Sequence, residues 1–294
     1  MYTEYWELDK KPFEIGCDPN FYYPSESFQS ILLKLRYSIE SRHGSALLRG
    51  PVGSGKSMIA TMLLQQLTAK GMIGSAISVR MPQLNADEIL CYLAENLDTE
   101  GKMFPSFPSG NTEGGLRIRL PKESTPFLYH AVGTVEKILT KNAREKRHSL
   151  LIVEDAQQIS DARVYPLFKS LLGLEYAGKP ALSILFIAAA PTFSEEPQAQ
   201  FVRNCIDTVA ELDPFSESEC AAYIAHRLVH AGAKNPIFSD DAITAIAQHS
   251  EGLPRRINRI CDLALLVGYA EHLESIDAEI IDALDHEMST AEMK

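Results

Sequence analysis

The stretch SALLRGPVGSGKSMIATMLLQQL, residues 45–67, decides the fold of this chain. Its centre, residues 50–57, has the spacing Gly-x-x-x-x-Gly-Lys-Ser, with an apolar strand pattern before it and an apolar helix pattern after it. Glycines in such a loop let successive backbone N–H groups turn toward phosphate oxygens, and the following helix adds the positive end of its dipole. The stretch therefore predicts a phosphate-binding loop at the end of a strand in an α/β sheet.

Two side chains of this loop have predicted roles of their own. Lys56 would reach the β- and γ-phosphates of a nucleotide, and the Ser57 hydroxyl would hold Mg²⁺. The predicted nucleotide contacts in and beside the loop are Gly50, Pro51, Val52, Gly53, Ser54, Gly55, Lys56, Ser57 and Met58.

A second apolar strand pattern, within SLLIVEDAQQIS at residues 149–160, stops at the adjacent carboxylates Glu154 and Asp155. A phosphate loop needs a carboxylate at the end of a neighbouring strand to bind the water shell of Mg²⁺. Glu154 and Asp155 are therefore predicted, with Ser57, as the metal site and as candidate catalytic residues.

The rest of the chain predicts a parallel, doubly wound sheet between an N-terminal arm and a helical domain. Residues 1–44 form an arm that is rich in aromatic residues and turns helical, and residues 45–213 alternate strands with helices. Residues 98–127 interrupt this alternation and are predicted to be a long surface loop. After Asp213 only helical patterns follow. Residues 214–294 are therefore predicted to form an all-helical lid that opens on a capping box of Ser216 and Glu219.

The charge and composition restrict the partners. A formal net charge of -11 disfavours a broad nucleic-acid surface. Five cysteines without a CxxC pair predict reduced thiols. The longest uncharged run, residues 180–194, is too short to span a bilayer. These features predict a cytoplasmic protein with no membrane span.

Four segments together resemble the AAA+ ATPases of the ExeA type, general secretion pathway protein A, over about residues 2–284. They are YWELDKKPFEIGCDPNFYYPS, GPVGSGKS, LLIVEDAQ and SEGLPRRIN. The resemblance implies an ATP-binding αβα core with a helical lid, Mg-ATP as the ligand, and homo-oligomers such as rings. It also implies that Arg255 is the lid arginine that touches the γ-phosphate, and that Tyr22 and Tyr23 line the base pocket.

The departures from this family pattern all concern hydrolysis of ATP to ADP and phosphate. The family reads Asp-Glu-Ala-Gln where this chain reads Glu-Asp-Ala-Gln at residues 154–157, and Ala190 replaces a polar sensor. Cys205 stands where the family has an arginine that reaches a neighbouring subunit, which leaves Arg203 as the substitute. The resemblance therefore implies that binding is intact and hydrolysis is weakened.

Three functions stay open at this point. The first is an ATPase that drives assembly of an envelope or secretion complex, with a protein partner from that complex. The second is a scaffold that binds ATP and barely hydrolyses it. The third is a DNA-bound helper of a transposase, against which the acidic charge weighs.

Overall fold

The computed structural model describes residues 2–79, 84–97, 125–189 and 198–292. The chain divides into two compact units. The sheet unit consists of Ser30–Gly50 and Met62–Glu211, and the helical unit consists of Met1–Gln29, Pro51–Thr61 and Leu212–Lys294. Residues 1–29 of the arm and the C-terminal helices thus share one unit with most of the predicted phosphate loop. The three-part division at residues 44 and 213 stays a prediction.

The sheet unit contains a five-stranded parallel sheet. In chain order the strands of this unit are β1 (Ser45–Gly50), β2 (Ile73–Val79), β3 (His148–Val153), β4 (Glu175–Tyr176), β5 (Lys179–Pro180), β6 (Leu182–Ala189) and β7 (Thr208–Glu211). Strands β4 and β5 form a separate antiparallel pair, and the other five strands lie in the order β2-β3-β6-β1-β7. All four pairings of the large sheet are parallel, which confirms the predicted α/β fold class.

The position of β3 in the sheet corrects one detail of the prediction. The strand that leads to Glu154 is not a neighbour of β1, because β6 lies between them. All six residues of β3 are buried, as are seven of the eight in β6, so both faces of these strands are covered. Because parallel strands end at the same edge of a sheet, the ends of β1, β6 and β3 still follow one another along that edge.

Helices precede, separate and follow the strands of this sheet in the chain, and buried side chains of several of them supply its core. The described helices before residue 212 are α1 (Tyr2–Tyr5), α2 (Glu26–Glu40), α3 (Lys56–Ala69), α4 (Ala86–Asn96), α5 (Thr125–Arg144), α6 (Val164–Leu172) and α7 (Gln198–Cys205). Phe168 of α6 packs edge-on against Phe186 of β6, with ring centroids 5.3 Å apart. Of the predicted loop at residues 98–127, residues 98–124 lie outside the described part of the chain, and α5 begins at Thr125.

Strand β7 lies at one edge of the sheet and is partly covered by a lysine. Its described strand neighbour is β1 alone. The Nζ of Lys34, on α2, donates a hydrogen bond of 2.6 Å to the backbone carbonyl of Val209 in this strand. One carbonyl of the edge strand is therefore satisfied by a side chain.

The helical unit ends with helices, in agreement with the helical patterns that follow Asp213 in the sequence. They are α8 (Glu217–His230), α9 (Asp240–Ser250), α10 (Pro254–Ala270) and α11 (Ala278–Glu292). The capping box at the start of α8 is present: the Ser216 side chain accepts from the Glu219 amide, and the Glu219 carboxylate accepts from the Ser216 amide. This reciprocal cap fixes where α8 begins.

Aromatic residues of the arm anchor it to α10. The indole Nε1 of Trp6 donates a hydrogen bond of 2.9 Å to the carbonyl of Leu265, and the hydroxyl of Tyr2 donates to the carboxylate of Asp262. A Cβ on Gly268 would lie 2.6 Å from the Trp6 ring, so only glycine allows this close approach.

Among the described residues, no helix combines the length and apolar character that a membrane crossing requires.

Candidate functional site

The predicted phosphate loop has the backbone that such a loop requires. It follows β1 directly, and α3 begins at Lys56, so the loop leads into the N-terminus of a helix of 14 residues. Gly53 and Gly55 have φ values of +84° and +101°, a region that other residues rarely adopt. The loop thus leads to the positive end of the α3 dipole, which favours an anion.

Both glycines also allow a close approach by another part of the helical unit. A Cβ on Gly53 would lie 2.9 Å from the Cβ of Arg255, and a Cβ on Gly55 would lie 3.0 Å from the ring of Phe28. The amide of Arg255 donates a hydrogen bond of 3.1 Å to the carbonyl of Gly53. The helix that carries Arg255 is therefore in direct contact with the loop.

The polar side chains of the loop fit a phosphate group. The Lys56 ammonium donates a hydrogen bond of 2.6 Å to the carbonyl of Pro51, which places its charge over the loop. Ser54 is 1% exposed, and its hydroxyl has no hydrogen-bond partner among the described residues. Buried polar groups are normally satisfied, so an orphaned hydroxyl in a loop of this kind is consistent with a ligand or its water.

Arg255 differs from the arginine beside it. Arg256 forms an ion pair of 2.7 Å with Glu251, whereas no carboxylate within the described ranges pairs with Arg255. Arg255 follows Pro254 at the start of α10 and is exposed. Its guanidinium is therefore a positive charge beside the loop with no negative partner among the described residues.

The turn before α10 is fixed by a glycine. Gly252 has a φ of +69°, and a Cβ at this position would lie 2.1 Å from the carbonyl oxygen of Phe215. The Gly252 carbonyl also accepts a hydrogen bond of 2.9 Å from the Phe215 amide. This close backbone contact fixes the point from which α10 approaches the loop.

The two tyrosines that were predicted for the base pocket differ in their surroundings. Tyr22 packs on Phe28, with ring centroids 6.3 Å apart, and its buried hydroxyl has no partner in the part of the chain that the structure describes. Burial raises the pKa of this hydroxyl, which keeps it protonated and able to donate. Tyr23 is instead enclosed by the rings of Phe215, Tyr223 and His226 at 5.5 to 5.9 Å.

The paired acids occupy the end of β3 in the sheet unit. The amide of Glu154 donates to the carbonyl of Val79 at 2.9 Å, so the parallel ladder continues to this residue. The Ser78 hydroxyl donates to the Glu154 carboxylate at 3.0 Å. Asp155 has left-handed backbone angles, φ 49° and ψ 39°, which are uncommon outside glycine. A hydrogen bond therefore orients the Glu154 carboxylate, whereas the backbone conformation orients that of Asp155.

Sequence reasoning assigned no role to Ser78 or Gln157, although both touch the acids. The Gln157 side-chain oxygen accepts a hydrogen bond of 3.1 Å from the amide of Ala189 at the end of β6. Its amide nitrogen lies 3.5 Å from the Asp155 carboxylate. Gln157 therefore connects the acid turn to the neighbouring strand, and its place in the Glu-Asp-Ala-Gln motif was the one available signal.

Two of the remaining hydrolytic candidates, Arg203 and Ala190, lie partly or wholly outside the described residues. Arg203 is part of α7, and the surroundings of its side chain lie outside the described part, as does the whole of Ala190. Cys205 is half-buried at the end of α7, and its carbonyl accepts a hydrogen bond from the Ser45 hydroxyl. Burial raises the pKa of the Cys205 thiol, which keeps it neutral. A cysteine has no cationic form, so this residue supplies no positive charge.

The predicted site residues are thus distributed over both units. Those of the helical unit are Tyr22, Tyr23, Pro51, Val52, Gly53, Ser54, Gly55, Lys56, Ser57, Met58 and Arg255, and those of the sheet unit are Gly50, Glu154, Asp155 and Arg203. The loop, Arg255 and the aromatic ring of Phe28 are in contact within the helical unit. The metal site of Ser57, Glu154 and Asp155 stays a prediction.

Comparison with known proteins gives one family and several related folds. The sequence profile of a family described as an AAA domain matches residues 39–195, more than half of the chain. General secretion pathway protein A of Aeromonas hydrophila is 27% identical over 292 residues, which cover 98% of this chain and 49% of that protein. The chain therefore spans about half the length of this relative.

Solved structures with the same architecture have low sequence identity to this chain. The ORC2 protein of Aeropyrum pernix, solved with ADPNP and ADP, has a TM-score of 0.63 at 14% identity, covering 95% of this chain and 72% of that one. Cdc6p of Pyrobaculum aerophilum has a TM-score of 0.63 at 13% identity, covering 92% and 68%. The RuvB Holliday junction branch migration motor of Thermotoga maritima has a TM-score of 0.54 at 14% identity, covering 90% and 69%. These likenesses concern the fold alone.

Proposed function

Because the chain belongs to the AAA domain family, we propose that it binds Mg-ATP and acts as an ATP-dependent assembly switch with slow hydrolysis. The observation that carries this proposal is the loop of residues 51–57, in which two glycines, an orphaned hydroxyl and a lysine lie at the start of α3. Such an arrangement favours a polyphosphate over a neutral ligand, because backbone donors and the helix dipole act on the same anion.

In this proposal, different side chains of the site contact the phosphates, the nucleoside and Mg²⁺. Lys56 and Arg255 hold phosphate oxygens, and the Tyr22 hydroxyl bonds the nucleoside. Mg²⁺, when bound, neutralises charge on the β- and γ-phosphates. Its proposed ligands are Ser57, Glu154 and Asp155.

Slow hydrolysis is proposed from the order of the two acids and from the residue at position 205. Glu154 is one methylene longer than aspartate and is bonded to Ser78, while Asp155 is one methylene shorter than glutamate. A displacement of about 1 Å at a reacting group costs on the order of 10² in rate. Cys205 cannot supply the positive charge that an arginine would give to a neighbouring active site.

The biological setting is proposed from the Aeromonas relative. That protein is named for the general secretion pathway, so we propose an envelope or secretion protein as the partner whose assembly the switch controls. The proposal locates the protein in the cytoplasm, where ATP is supplied. Substrates and partners of the relative as a whole stay proposals here, because the match covers 49% of it.

ATP is expected to increase the mass of the protein in solution. The AAA+ resemblance implies assembly, and nucleotide that orders the loop and Arg255 would favour the assembling conformation. Light scattering at several protein concentrations, without nucleotide and with Mg-ATP or Mg-ADP, measures this mass. Lys56→Ala is the control, and it should show no response to ATP. A mass that stays monomeric at every concentration with ATP would remove self-association from the proposal.

Arg255→Ala is expected to weaken ATP binding about tenfold, the usual magnitude for one hydrogen bond to a charged group. ADP binding should change much less, because the resemblance assigns this arginine to the γ-phosphate. Arg256→Ala is the matched control, since its neighbouring guanidinium is already paired with Glu251. Both affinities are measured by competition with a fluorescent nucleotide. Equal effects of the two substitutions, or equal losses for ATP and ADP, would contradict the role given to Arg255.

A further inference from the structure

Arg227 of α8 is a buried cation that no carboxylate neutralises within the described ranges. It is 3% exposed, and its Nε donates a hydrogen bond of 2.6 Å to the carbonyl of Pro12. One terminal nitrogen donates to the carbonyl of Glu14 at 3.2 Å, and the other donates to the Tyr223 hydroxyl at 2.9 Å. Removing a guanidinium from water is costly, so this position requires the acceptors that surround it.

The arm uses this guanidinium for two of its backbone hydrogen bonds. Between Leu8 and Asp18 the arm has no helix or strand, so its carbonyls need partners from elsewhere. Arg227 supplies donors to two of these carbonyls, those of Pro12 and Glu14. The guanidinium therefore donates to backbone carbonyls of the arm, as the amides of a paired strand would do.

One route of contacts leads from Arg227 to the phosphate loop through the arm. The guanidinium lies 4.5 Å from the centre of the Phe21 ring, and Phe21 directly precedes Tyr22. Tyr22 packs on Phe28, whose ring lies 3.0 Å from the position of a Cβ on Gly55. The position of the arm thus sets both the Tyr22 hydroxyl and the ring that packs against the loop.

A second route leads to the same loop through α10. The Tyr223 hydroxyl, which accepts from Arg227, donates a hydrogen bond of 2.9 Å to the side-chain oxygen of Asn258. Asn258 is 7% exposed and lies three residues after Arg255, on the same helix. Arg255 in turn bonds the carbonyl of Gly53. Arg227 is therefore the junction of two chains of contacts that end on the two glycines of the loop.

From this junction we infer that Arg227 is a positioning residue for the nucleotide, and that docking of the arm and binding of ATP are coupled through it. The inference rests on the proposed ATP binding. Coupling between two sites is reciprocal. If ATP strengthens the docking of the arm by some factor, then a change that releases the arm must lower the affinity for ATP by the same factor. Arg227 acts through the arm and α10 and does not itself touch a phosphate.

Arg227→Lys tests the inference with little change in charge. A lysine has a single ammonium in place of a planar fork, so it cannot serve Pro12, Glu14 and Tyr223 together. The Kd for Mg-ATP should rise about tenfold, within the usual range of coupling. Arg256→Lys, at an exposed arginine of α10, is the matched control and should leave the Kd unchanged. Affinities are measured well below the unfolding temperature of every variant.

Two further measurements separate positioning from general stability. In the parent chain, Mg-ATP should slow hydrogen exchange of the Asp9 amide, which bonds the carbonyl of Ala231 at 2.8 Å, and Arg227→Lys should remove this protection. Tyr223→Phe keeps the ring and removes the hydroxyl that joins Arg227 to Asn258, so it too should raise the Kd for Mg-ATP. If Arg227→Lys does not fold, the Kd of Tyr223→Phe alone tests the inference.

A lower unfolding temperature with an unchanged Kd for ATP in these variants would overturn the inference and leave Arg227 as a structural residue. A parent chain that binds no ATP would instead contradict the proposed function, and the coupling with it. The two failures are distinguishable, because the first requires a parent that binds ATP and the second a parent that does not.

Discussion

Lys56→Ala is expected to abolish the stabilisation of the chain by ATP. The ammonium is the one side-chain charge that the loop sequence itself provides, and it lies over the loop through its bond to the Pro51 carbonyl. A ligand at 100 times its Kd raises the free energy of unfolding by about 2.7 kcal/mol. Thermal unfolding with and without Mg-ATP should show this gain in the parent chain and no gain in the variant.

Lys70→Ala is the control for this measurement. Lys70 follows the end of α3 and pairs with Glu40 at 3.1 Å, so its loss removes the same charge from the protein and leaves the loop intact. It should keep the full response to ATP. An equal rise in unfolding temperature for the parent and for Lys56→Ala would show that the phosphates bind elsewhere.

Restoring the order of the acids, Glu154→Asp with Asp155→Glu, is expected to raise phosphate release on the order of 10²-fold, the size of effect that a 1 Å displacement produces. Binding of ATP should change little, because the loop and Arg255 are untouched and a carboxylate remains at both positions. Adding Ala190→Gln and Cys205→Arg should raise the rate further. The gains need not multiply, since groups that act as a unit are not additive. Steady-state phosphate release measures each variant.

The same assay needs a background in which no ATP is bound. Each variant is therefore also made with Lys56→Ala, where phosphate release should fall to the level of a contaminant. A parent chain that already hydrolyses ATP at about 1 per second, within the ordinary range of enzymes, would contradict slow hydrolysis. Such a rate would mean that Glu154 and Asp155 perform the roles of the family's Asp and Glu without loss of hydrolysis.

The large elements of the fold could be predicted because each has a long, regular pattern. The apolar run before the loop, the run before Glu154 and the four C-terminal helices all correspond to observed elements. The order of strands could not be predicted, because nothing local in β1 or β3 indicates that β6 lies between them. The short strand β7 escaped prediction, since four residues are too few to establish a period.

The candidate site also has parts that the sequence could predict and parts that it could not. The loop of residues 50–57 could be predicted because every residue that it needs is contiguous. The contact of Arg255 with Gly53 joins positions about 200 residues apart, and only the family resemblance pointed to it. The contact of Ser78 with Glu154 had no sequence signal, because it arises from the pairing of two strands.

The bond from Lys34 to the Val209 carbonyl bears on how the protein behaves when concentrated. An edge strand with open backbone groups is a template on which another chain can add as a further strand, and this is a common start of aggregation. Here a charged side chain occupies one of the acceptors that an added strand would use, and it would have to be displaced first. A lysine at such an edge is a device by which natural sheets discourage pairing between molecules. This edge strand of four residues, two of them exposed, is therefore protected in part by a single lysine.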